Sequence, residues 1–475
     1  MPERADTHRG LPSGAAVEAL VARARAAQAI ADGYDQARVD EIVAAAAWAI
    51  LEPARNRALS ELAVADTGIG NVEDKVRKNH RKTLGLLRDL HGMKTVGVVG
   101  EDAGRGLVEI ARPAGVVCAI TPSTNPAATP ANKIINALKA RNAVIVAPSP
   151  KGASTCARLI EFVHAQFERI DAPRDLVQML PEPITKDATA ELMRRCDLVV
   201  ATGSQANVRA AYASGTPAFG VGAGNVASIV DETADLEDAA AKIVLSKTFD
   251  NATSCSSENS LVLLEPVADA MLAALGRHGC VRLDAGDRAR LQLAMWPAGK
   301  LSAAVIGQSA ATIAERAALA HPAAKLARVL LVEGEGIGPG HPFSGEKLSP
   351  VLVFYRAPDF AAAKVVVSRL YAFQGAGHSV SLHSKVDDRA LDLGLNLPVA
   401  RVIVNQAHCI ANGGSFSNGL PVSLSMGCGT WGRNNFSDNL NVRQYMNVTR
   451  VARALPERVP DVDDLLGGYF SRWGR

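Results

Sequence analysis

The segment from residue 115 to residue 149 decides the fold, because it alternates between two periodicities. It reads GVVCAITP (115–122), then NKIINALKARN (132–142), then AVIVAPS (143–149). The outer runs are short and apolar, as buried strands are, and the middle run has helical spacing. A strand, a helix and a further strand predict a right-handed βαβ unit in a parallel sheet.

The same alternation continues as far as DLVVATGS (197–204). Ligands of such sheets bind outside the carboxyl ends of the strands. The turns TPSTNP (121–126), APSPKG (147–152) and ATGSQAN (201–207) are therefore expected to line one crevice.

A second α/β pattern begins after Asn251, and alanine-rich helical segments from Ala15 to about Asp66 precede the first pattern. We therefore predict an α/β fold with two parallel-sheet domains behind a helical lead-in. The predicted boundaries are residues 1–245 for the lead-in and first domain, 246–435 for the second domain, and 436–475 for a C-terminal segment.

The stretch from Lys94 to Arg112, with VGEDAGRG (99–106) at its centre, predicts a β-hairpin, as does part of the tail after Asn435. Such excursions often join subunits, so a homodimer or homotetramer is expected. An ordinary edge hairpin explains the pattern equally well.

Composition excludes several classes of function. The 475 residues carry 51 basic and 48 acidic side chains, a net charge of +3, so no overall field recruits nucleic acid or a membrane surface. Seven cysteines show no C-x-x-C pair and no metal-ligand spacing, which predicts no metal site and a reduced, cytoplasmic protein. The first ten residues lack the apolar core of a secretory signal, and no run reaches the ~20 apolar residues that span a bilayer.

Cys255 lies in FDNATSCSSENS (249–260), among small polar residues. An inert cysteine usually lies among other hydrophobic side chains, whereas a reactive one needs access and groups that favour its thiolate. The local composition favours a reactive thiol over a buried structural one.

Three other features each allow two interpretations. Asn125 offers an amide that can donate to an oxyanion, and an Asx-turn before Pro126 is the ordinary alternative. The run FGVGAGN (219–225) looks like a dinucleotide fingerprint, but a strand-like run follows it instead of a helix, so we reject the fingerprint. Glu346 and Lys347 precede a strand, where a solvated charge pair is the default explanation.

In this order, these pieces resemble the aldehyde dehydrogenase superfamily, and more narrowly its CoA-acylating branch, from about Ala15 to about Val451. The first domain would then bind the dinucleotide, the second would be catalytic, and the hairpin (94–112) and C-terminal segment would serve oligomerisation. The segments that carry the narrower resemblance are DKVRKNHRKT (74–83), ITPSTNP (120–126), ALKARNAVIVAPSP (137–150), ATGSQANV (201–208), GVGAGN (220–225), SKTFDNATSCSSENS (246–260), EKLSPVL (346–352), GAGHSVSLHS (375–384) and SLSMGCGTWGRNN (423–435).

The resemblance implies a role for each candidate residue. Cys255 would add to the aldehyde, and the Asn125 amide and the Cys255 backbone N–H would hold the oxyanion before hydride leaves for the nicotinamide. His378 is the candidate acid/base for the coenzyme A thiol, and a structural histidine is the alternative. The implied cofactor contacts are Ser149, Lys151, Gly203, Ser204 and, on the nicotinamide ribose, Glu346.

Two departures from the hydrolytic aldehyde dehydrogenases affect the expected reaction. Gly220 stands where those enzymes carry the glutamate that activates water, so the acyl group is expected to leave on coenzyme A. Pro150 stands where NAD-preferring members carry a glutamate for the ribose 2′-OH, and Lys151 is next to it. A lysine and the Ser149 hydroxyl suit a 2′-phosphate, which favours NADP, with NAD as the alternative.

The helix 74–90 is expected to pass the aldehyde entrance and is rich in positive charge. Arg77 and Arg81 are spaced i and i+4, so both are predicted to point toward an anionic aldehyde, although a solvated face is the ordinary explanation of such charges. The resemblance is strongest to members that act on sulfoacetaldehyde. Acetaldehyde and succinate semialdehyde are the other candidates for the substrate.

Two other functions stay open from the sequence. A hydrolytic aldehyde dehydrogenase would release a free acid without coenzyme A. A catalytically silent scaffold could keep the fold without the reaction, since fold does not fix function, although the presence of Cys255 and Asn125 argues against it.

Overall fold

The computed structural model describes residues 14–475, so the first 13 residues of the predicted first domain lie outside the described residues. The helices are α1 Gly14–Asp32, α2 Gln36–Leu51, α3 Pro53–Thr67, α4 Val72–Leu90, α5 Ala128–Lys139, α6 Ala153–Arg169, α7 Lys186–Arg195, α8 Gln205–Tyr212, α9 Leu236–Thr248, α10 Glu265–Arg277, α11 Ala285–Met295, α12 Ala310–Arg316, α13 Phe360–Phe373, α14 Asp387–Asn396, α15 His408–Ala411 and α16 Val462–Trp473. The strands are β1 Gly97–Asp102, β2 Leu107–Pro113, β3 Val116–Thr121, β4 Ala143–Pro148, β5 Val177–Met179, β6 Leu198–Ala201, β7 Ala218–Gly220, β8 Val226–Val230, β9 Glu258–Leu264, β10 Cys280–Arg282, β11 Val329–Glu333, β12 Val351–Ala357, β13 Val380–His383, β14 Val402–Val404 and β15 Met446–Ala452. None of the helices in this part of the chain is both long and apolar enough to cross a membrane.

The first sheet contains five parallel strands in the order β5-β4-β3-β6-β7. Every residue of β3 and β4 is buried, and helices α1 and α5 both pack on these two strands. Such continuous apolar strands are typical of a parallel sheet that is covered on both faces. The βαβ unit predicted from residues 115–149 is confirmed as β3, α5 and β4.

The second sheet contains seven parallel strands in the order β10-β11-β12-β9-β8-β13-β14. It takes in β8, which pairs with both β9 and β13. The predicted domain boundary at residue 246 therefore lies too late in the chain. The chain passes from the first sheet to the second between Gly220 and Val226 without an intervening helix, so no change of periodicity marks the crossing.

The predicted hairpin is confirmed as β1 and β2, which pair antiparallel. The tail does not form a second hairpin as predicted. Its single strand, β15, pairs antiparallel with β2 and completes a three-stranded sheet in the order β1-β2-β15. Because β2 had a free edge, its unpaired backbone groups accept the tail strand in preference to a separate hairpin.

The two parallel sheets contribute opposite edges to the candidate site. Asn125, Ser149 and Gly203 follow β3, β4 and β6, at the carboxyl ends of the first sheet. In the second sheet the candidate residues come before their strands, at the amino ends. These are Cys255 before β9, Glu346 before β12 and His378 before β13.

Candidate active site

Cys255 is held by a strained loop. Asp250, Asn251 and Ala252 have φ angles of 50°, 53° and 59°, in the left-handed region that residues other than glycine seldom adopt. Asp250 and Ala252 are also fully buried. Such conformations persist only where the surroundings enforce them, and they cluster at functional sites. The loop thus fixes the cysteine three residues ahead of β9.

The Cys255 thiol is half-buried. The sequence predicted surroundings that favour the thiolate, whereas the surroundings in the structure favour the protonated thiol. Burial raises the pKa of the thiol to about 12, and the charge of Glu346 and the neighbouring Cys428 act in the same direction. A hydrogen bond from Ser256 and the charge of Arg401 lower the pKa but do not offset the rise. The thiol is therefore protonated at neutral pH.

Two glycines of GVGAGN pack against cysteines, Gly224 against Cys255 and Gly222 against Cys428. A Cβ on Gly224 would lie 2.1 Å from the carbonyl oxygen of Cys255, and one on Gly222 would lie 2.8 Å from Sγ of Cys428. Strand β8 follows directly, so no helix N-terminus is available for a pyrophosphate here. The glycines of this run therefore allow close packing beside the cysteine loop. This agrees with our rejection of a dinucleotide fingerprint here.

Gly220 has no room for a side chain. A Cβ at this position would lie 2.6 Å from Cγ1 of Val208 and 3.0 Å from the Tyr212 ring. The Tyr212 hydroxyl also exchanges hydrogen bonds of 3.0 Å with both the N–H and the carbonyl of Gly220. A carboxylate at this position would have to displace both neighbours.

The Asn125 amide is oriented by a lysine from helix α4. Nζ of Lys78 donates to Oδ1 of Asn125 at 2.7 Å, whereas Nδ2 has only a long contact of 3.4 Å with the Thr124 hydroxyl. The side-chain oxygen is therefore engaged by Lys78 instead of the backbone N–H that an Asx-turn requires. The amide nitrogen stays available as a donor.

Lys78 belongs to a buried ionic cluster. Its ammonium also donates to Oδ2 of Asp250 at 2.5 Å and to the Thr253 hydroxyl at 3.2 Å, and Lys75 contacts the same carboxylate oxygen at 3.1 Å. Burial opposes ionisation of Asp250, but the two lysines hold its pKa below the ordinary range. The cluster ties helix α4 to both the Asn125 turn and the Cys255 loop.

A pocket opens between helix α4 and the segment that follows β14. Three cations line it, Lys78, Arg81 and Lys82. Lys82 donates to the carbonyl oxygens of Gly413 and Gly414 at 2.8 and 3.0 Å, and burial lowers its pKa to about 8. The remaining lining residues are Gly85, Asn125, Phe249, Ser254, Cys409, Ile410, Gly414, Ser415, Phe416, Val422 and Leu424.

The two arginines predicted to face the substrate are both exposed and together line an outer pocket, but only Arg81 also lines the pocket described above. Arg81 lies at this pocket, with its guanidinium 5.1 Å from the centre of the Phe416 ring. Arg77 lies outside the pocket, with a side chain 70% exposed and a contact of 3.8 Å to Asp74. The prediction for Arg77 is therefore wrong, because the buried face of α4 carries Lys75, Lys78 and Lys82.

His378 is fully buried just before β13. Its Nδ1 lies 2.8 Å from the Ser379 hydroxyl, and its Nε2 has no hydrogen-bond partner among the described residues. Burial lowers the pKa of His378 well below its ordinary value, and the charge of Arg401 and the nearby His408 add to the effect. The imidazole is neutral and is not one of the residues that line the pocket.

Lys347 and Glu346 do not form the solvated pair that is the default explanation of their sequence. Lys347 is fully buried, and its ammonium donates to the carbonyl oxygens of Phe343 and Gly345 at 2.6 and 2.9 Å. Burial raises the pKa of Glu346 to about 8. Glu346 is close enough to the thiol for its charge to raise the pKa of Cys255.

Three comparisons with known proteins agree with this geometry. Residues 10–298 match the aldehyde dehydrogenase family. The acylating sulfoacetaldehyde dehydrogenase of Cupriavidus necator is 68% identical over 460 residues, which are 97% of this chain and 93% of that protein. That of Bilophila wadsworthia is 40% identical over 95% of this chain and 98% of its own length.

The fold agrees as well. The crystal structure of an acetylating aldehyde dehydrogenase from Geobacillus thermoglucosidasius superposes with a TM-score of 0.90 at 35% identity, covering 94% of this chain and 98% of that one. The chain belongs to the aldehyde dehydrogenase family. The resemblance stated from the sequence motifs is thereby confirmed.

As a member of the aldehyde dehydrogenase family, the chain requires a place for a dinucleotide. Ser149 and Lys151 follow β4, and Gly203 and Ser204 follow β6, on either side of β3. Lys151 is exposed, and Ser204 caps helix α8 by accepting from the backbone N–H of Asn207 at 3.2 Å. A hydroxyl, an ammonium and a helix N-terminus are the donors that phosphate groups require, so this set fits the cofactor.

Four charged residues that line the candidate site or contact its residues were not singled out from the sequence: Lys78, Lys82, Asp250 and Arg401. The lysines carried a signal, because Lys75, Lys78 and Lys82 are spaced i, i+3 and i+7 on one helix face. Asp250 and Arg401 gave none, since their partners are distant in sequence. Within residues 14–475 no three His, Cys, Asp or Glu side chains are grouped as a metal site requires.

Proposed function

We propose that the chain catalyses the reversible, CoA-acylating oxidation of a short anionic aldehyde, sulfoacetaldehyde, to its acyl-CoA with NADP. Two relatives that share 68% and 40% of its sequence are named as acylating sulfoacetaldehyde dehydrogenases. Their alignments cover 97% and 95% of this chain.

The chemistry divides between two residues. The sulfur of Cys255 adds to the aldehyde carbon, and the oxyanion that forms accepts hydrogen bonds from Nδ2 of Asn125 and the backbone N–H of Cys255. A nicotinamide held at the first sheet would take up the hydride, and Cys255 would then carry the acyl group as a thioester. Lys78 holds Oδ1 of Asn125, so the amide presents its N–H groups to the reacting oxygen.

The packing around Gly220 carries the acylating part of the proposal. Val208 and Tyr212 fill the space where a side chain would start, so no carboxylate is available there to activate water. Hydrolysis of the Cys255 thioester is then slow, and a thiol is the better acceptor. Exchange with coenzyme A breaks one thioester and forms another, so the driving force of the oxidation is kept in the product.

His378 is proposed as the acid/base for the coenzyme A thiol. Its imidazole is neutral, and Nε2 is free of protein partners within the described residues. A neutral imidazole with one free ring nitrogen can take or return a proton.

Arg81 and Lys82 are the proposed contacts for the sulfonate. Arg81 has no carboxylate within 4.0 Å in the described part of the chain, so its donors are free. Lys82 uses donors on two backbone carbonyls and keeps a third. An arginine fork and an ammonium group in one pocket suit a sulfonate or a carboxylate better than an uncharged aldehyde.

NADP is the proposed cofactor, with NAD as the alternative. Ser149 and Lys151 flank Pro150, so a cation and a hydroxyl take the place of the carboxylate that would repel a 2′-phosphate. The proposal predicts that Lys151→Glu reverses the preference, measured as the ratio of kcat/KM for NADP to that for NAD. An unchanged ratio would assign Lys151 to the solvated surface.

We also propose a homodimer or homotetramer built on the β1-β2-β15 sheet. All but the first residue of β15 is exposed, including Val448 and Val451. Light scattering of the full chain tests the subunit number, and a monomer at micromolar concentration would refute the proposal.

Product analysis tests the main proposal. Purified protein is incubated with sulfoacetaldehyde, acetaldehyde or succinate semialdehyde, with NADP or NAD, and with or without coenzyme A. Mass spectrometry should find sulfoacetyl-CoA as the preferred product. A free acid formed equally well without coenzyme A would identify a hydrolytic enzyme, and no product from any aldehyde would identify a silent scaffold.

A further inference from the structure

Arg401 is a buried cation that the proposed reaction does not use. It lies just before β14, with only 6% of its surface exposed. All five of its hydrogen bonds go to neutral acceptors. These are Oδ1 of Asn412 at 3.1 Å from Nε, the Ser437 carbonyl at 3.0 Å and Oδ1 of Asn439 at 3.2 Å from Nη1, and the carbonyls of His378 at 3.0 Å and Gly427 at 2.7 Å from Nη2.

Arg401 has no ion-pair partner among the described residues, and the Asp438 carboxylate acts on its charge only from a longer distance. Within residues 14–475, no carboxylate lies within 4.0 Å of its guanidinium. By contrast, Arg389 in the same domain forms ion pairs with Asp231 and Glu232. A guanidinium stays protonated in proteins, and burying an unpaired charge is costly. This cost suggests that the charge serves the site around it.

A chain of hydrogen bonds leads from Arg401 to Ser256, the residue that follows the cysteine. The carboxamide of Asn412 accepts from Nε of Arg401 and donates from Nδ2 to the Ser256 hydroxyl oxygen at 2.9 Å. Because that oxygen already accepts, the Ser256 O–H is free to donate. A hydrogen bond from this hydroxyl to the sulfur of the adjacent Cys255 would lower the pKa of the thiol. Nδ1 of His408, 2.8 Å from the Ser256 carbonyl, fixes the same residue from the other side.

The groups that face the Cys255 thiol oppose one another. Glu346 and Cys428 raise its pKa in addition to burial, whereas Arg401 and the Ser256 hydrogen bond lower it. Arg401 supplies the positive charge that opposes this rise. Without it, only Ser256 would counter the effect of burial on the thiol.

We propose that Arg401 is a positioning residue for Cys255: through Asn412 it holds the Ser256 hydroxyl as a donor to the sulfur, and its buried charge stabilises the thiolate. This inference rests on the proposed function only in taking Cys255 as the nucleophile. It explains how a half-buried cysteine whose thiol pKa is raised by burial can react.

The rate of Cys255 alkylation by iodoacetamide, measured as a function of pH on the full-length protein, tests the inference. The slow labelling of Cys255→Ala is subtracted as background. Ser256→Ala and Arg401→Gln should each lower the rate constant at pH 8 about tenfold, the effect of losing one hydrogen bond to a charged group, and shift the pH profile upward by roughly one unit. Arg401→Lys, which keeps the charge, should lie between Arg401→Gln and the parent protein.

Arg389→Gln is the matched control, because it removes an arginine whose charge is already paired, and its alkylation profile should not move. Ser256→Ala removes a single oxygen atom and is therefore expected to fold. If Arg401→Gln does not fold, the alkylation profile of Ser256→Ala tests the inference instead. Folded variants with the parent profile would overturn the inference. Alkylation needs neither aldehyde nor coenzyme A, so this result is independent of whether the acylating reaction is confirmed.

Discussion

Lys78 and Asn125 are joined by a hydrogen bond of 2.7 Å from the lysine ammonium to the side-chain oxygen of the asparagine. The same ammonium is held by Asp250, five residues ahead of Cys255. One side chain of helix α4 therefore sets the direction of the oxyanion donor and is itself anchored to the cysteine loop. The aldehyde entrance and the reacting atoms are parts of one buried network.

The first prediction concerns this pair. Asn125→Ala should lower kcat roughly 100- to 1,000-fold, the usual loss for one oxyanion donor. Lys78→Met frees the amide to rotate, so it should lower kcat at least about tenfold with a smaller change in the KM for the aldehyde, because orientation matters most in the transition state. Steady-state kinetics with saturating coenzyme A measure both variants.

Arg77→Met is the control for Lys78→Met, because it removes a cation from the exposed side of the same helix. Its kcat should equal that of the parent protein. A Lys78→Met variant with parental kcat would mean that Asn125 needs no help from the lysine.

The second prediction separates the two arginines of the notably basic helix α4. Arg81→Gln should raise the KM for sulfoacetaldehyde about tenfold and leave that for acetaldehyde nearly unchanged, since a charge-assisted hydrogen bond is worth on the order of 1.5–3 kcal/mol. Arg77→Gln, the same change outside the pocket, should affect neither KM. Equal effects of Arg81→Gln on both aldehydes would remove it from the anion site.

The third prediction uses the pKa of Lys82, which burial lowers to about 8. Above that pH the amine loses its proton and its positive charge, whereas a sulfonate stays ionised. The ratio of kcat/KM for sulfoacetaldehyde to that for acetaldehyde should therefore fall between pH 7 and pH 9, by about fivefold for a loss of ~1 kcal/mol of attraction. Taking the ratio cancels titrations that both substrates share.

In Lys82→Met, the ratio of kcat/KM for sulfoacetaldehyde to that for acetaldehyde should already be low at pH 7. It should not change further up to pH 9. A ratio that stays constant from pH 7 to pH 9 in the parent protein would show that Lys82 does not contact the anion.

The fourth prediction uses His378 to separate NADPH formation from acyl transfer to coenzyme A. If its imidazole handles only the coenzyme A proton, His378→Ala should keep the rapid first formation of NADPH and lose steady turnover roughly 100-fold, within the usual contribution of general acid–base catalysis. Stopped-flow absorbance at 340 nm, the usual wavelength for NADPH, separates the two phases. Loss of the first phase would instead assign His378 to the structure of the β13 turn.

The sequence was sufficient for features set by local pattern. Residues 115–149 predicted the first parallel sheet, and the polar loop identified Cys255 as a distinctive thiol. Its pKa was not predictable, because the burial of the thiol and the charges of Glu346 and Arg401 come from segments that are distant in sequence. Arg77 was misplaced because i and i+4 spacing shows that two residues share a helix face without showing which face is buried.

The most direct test of the acylating mechanism is the amount of NADPH formed in the absence of coenzyme A. Protein at known active-site concentration is mixed with sulfoacetaldehyde and NADP, and intact-mass spectrometry follows the acyl group on Cys255. The account predicts about one NADPH and one acyl group per site, then a halt that coenzyme A relieves, because Gly220 supplies no base for water. Continued NADPH formation without coenzyme A, at a rate comparable to that with it, would contradict the account.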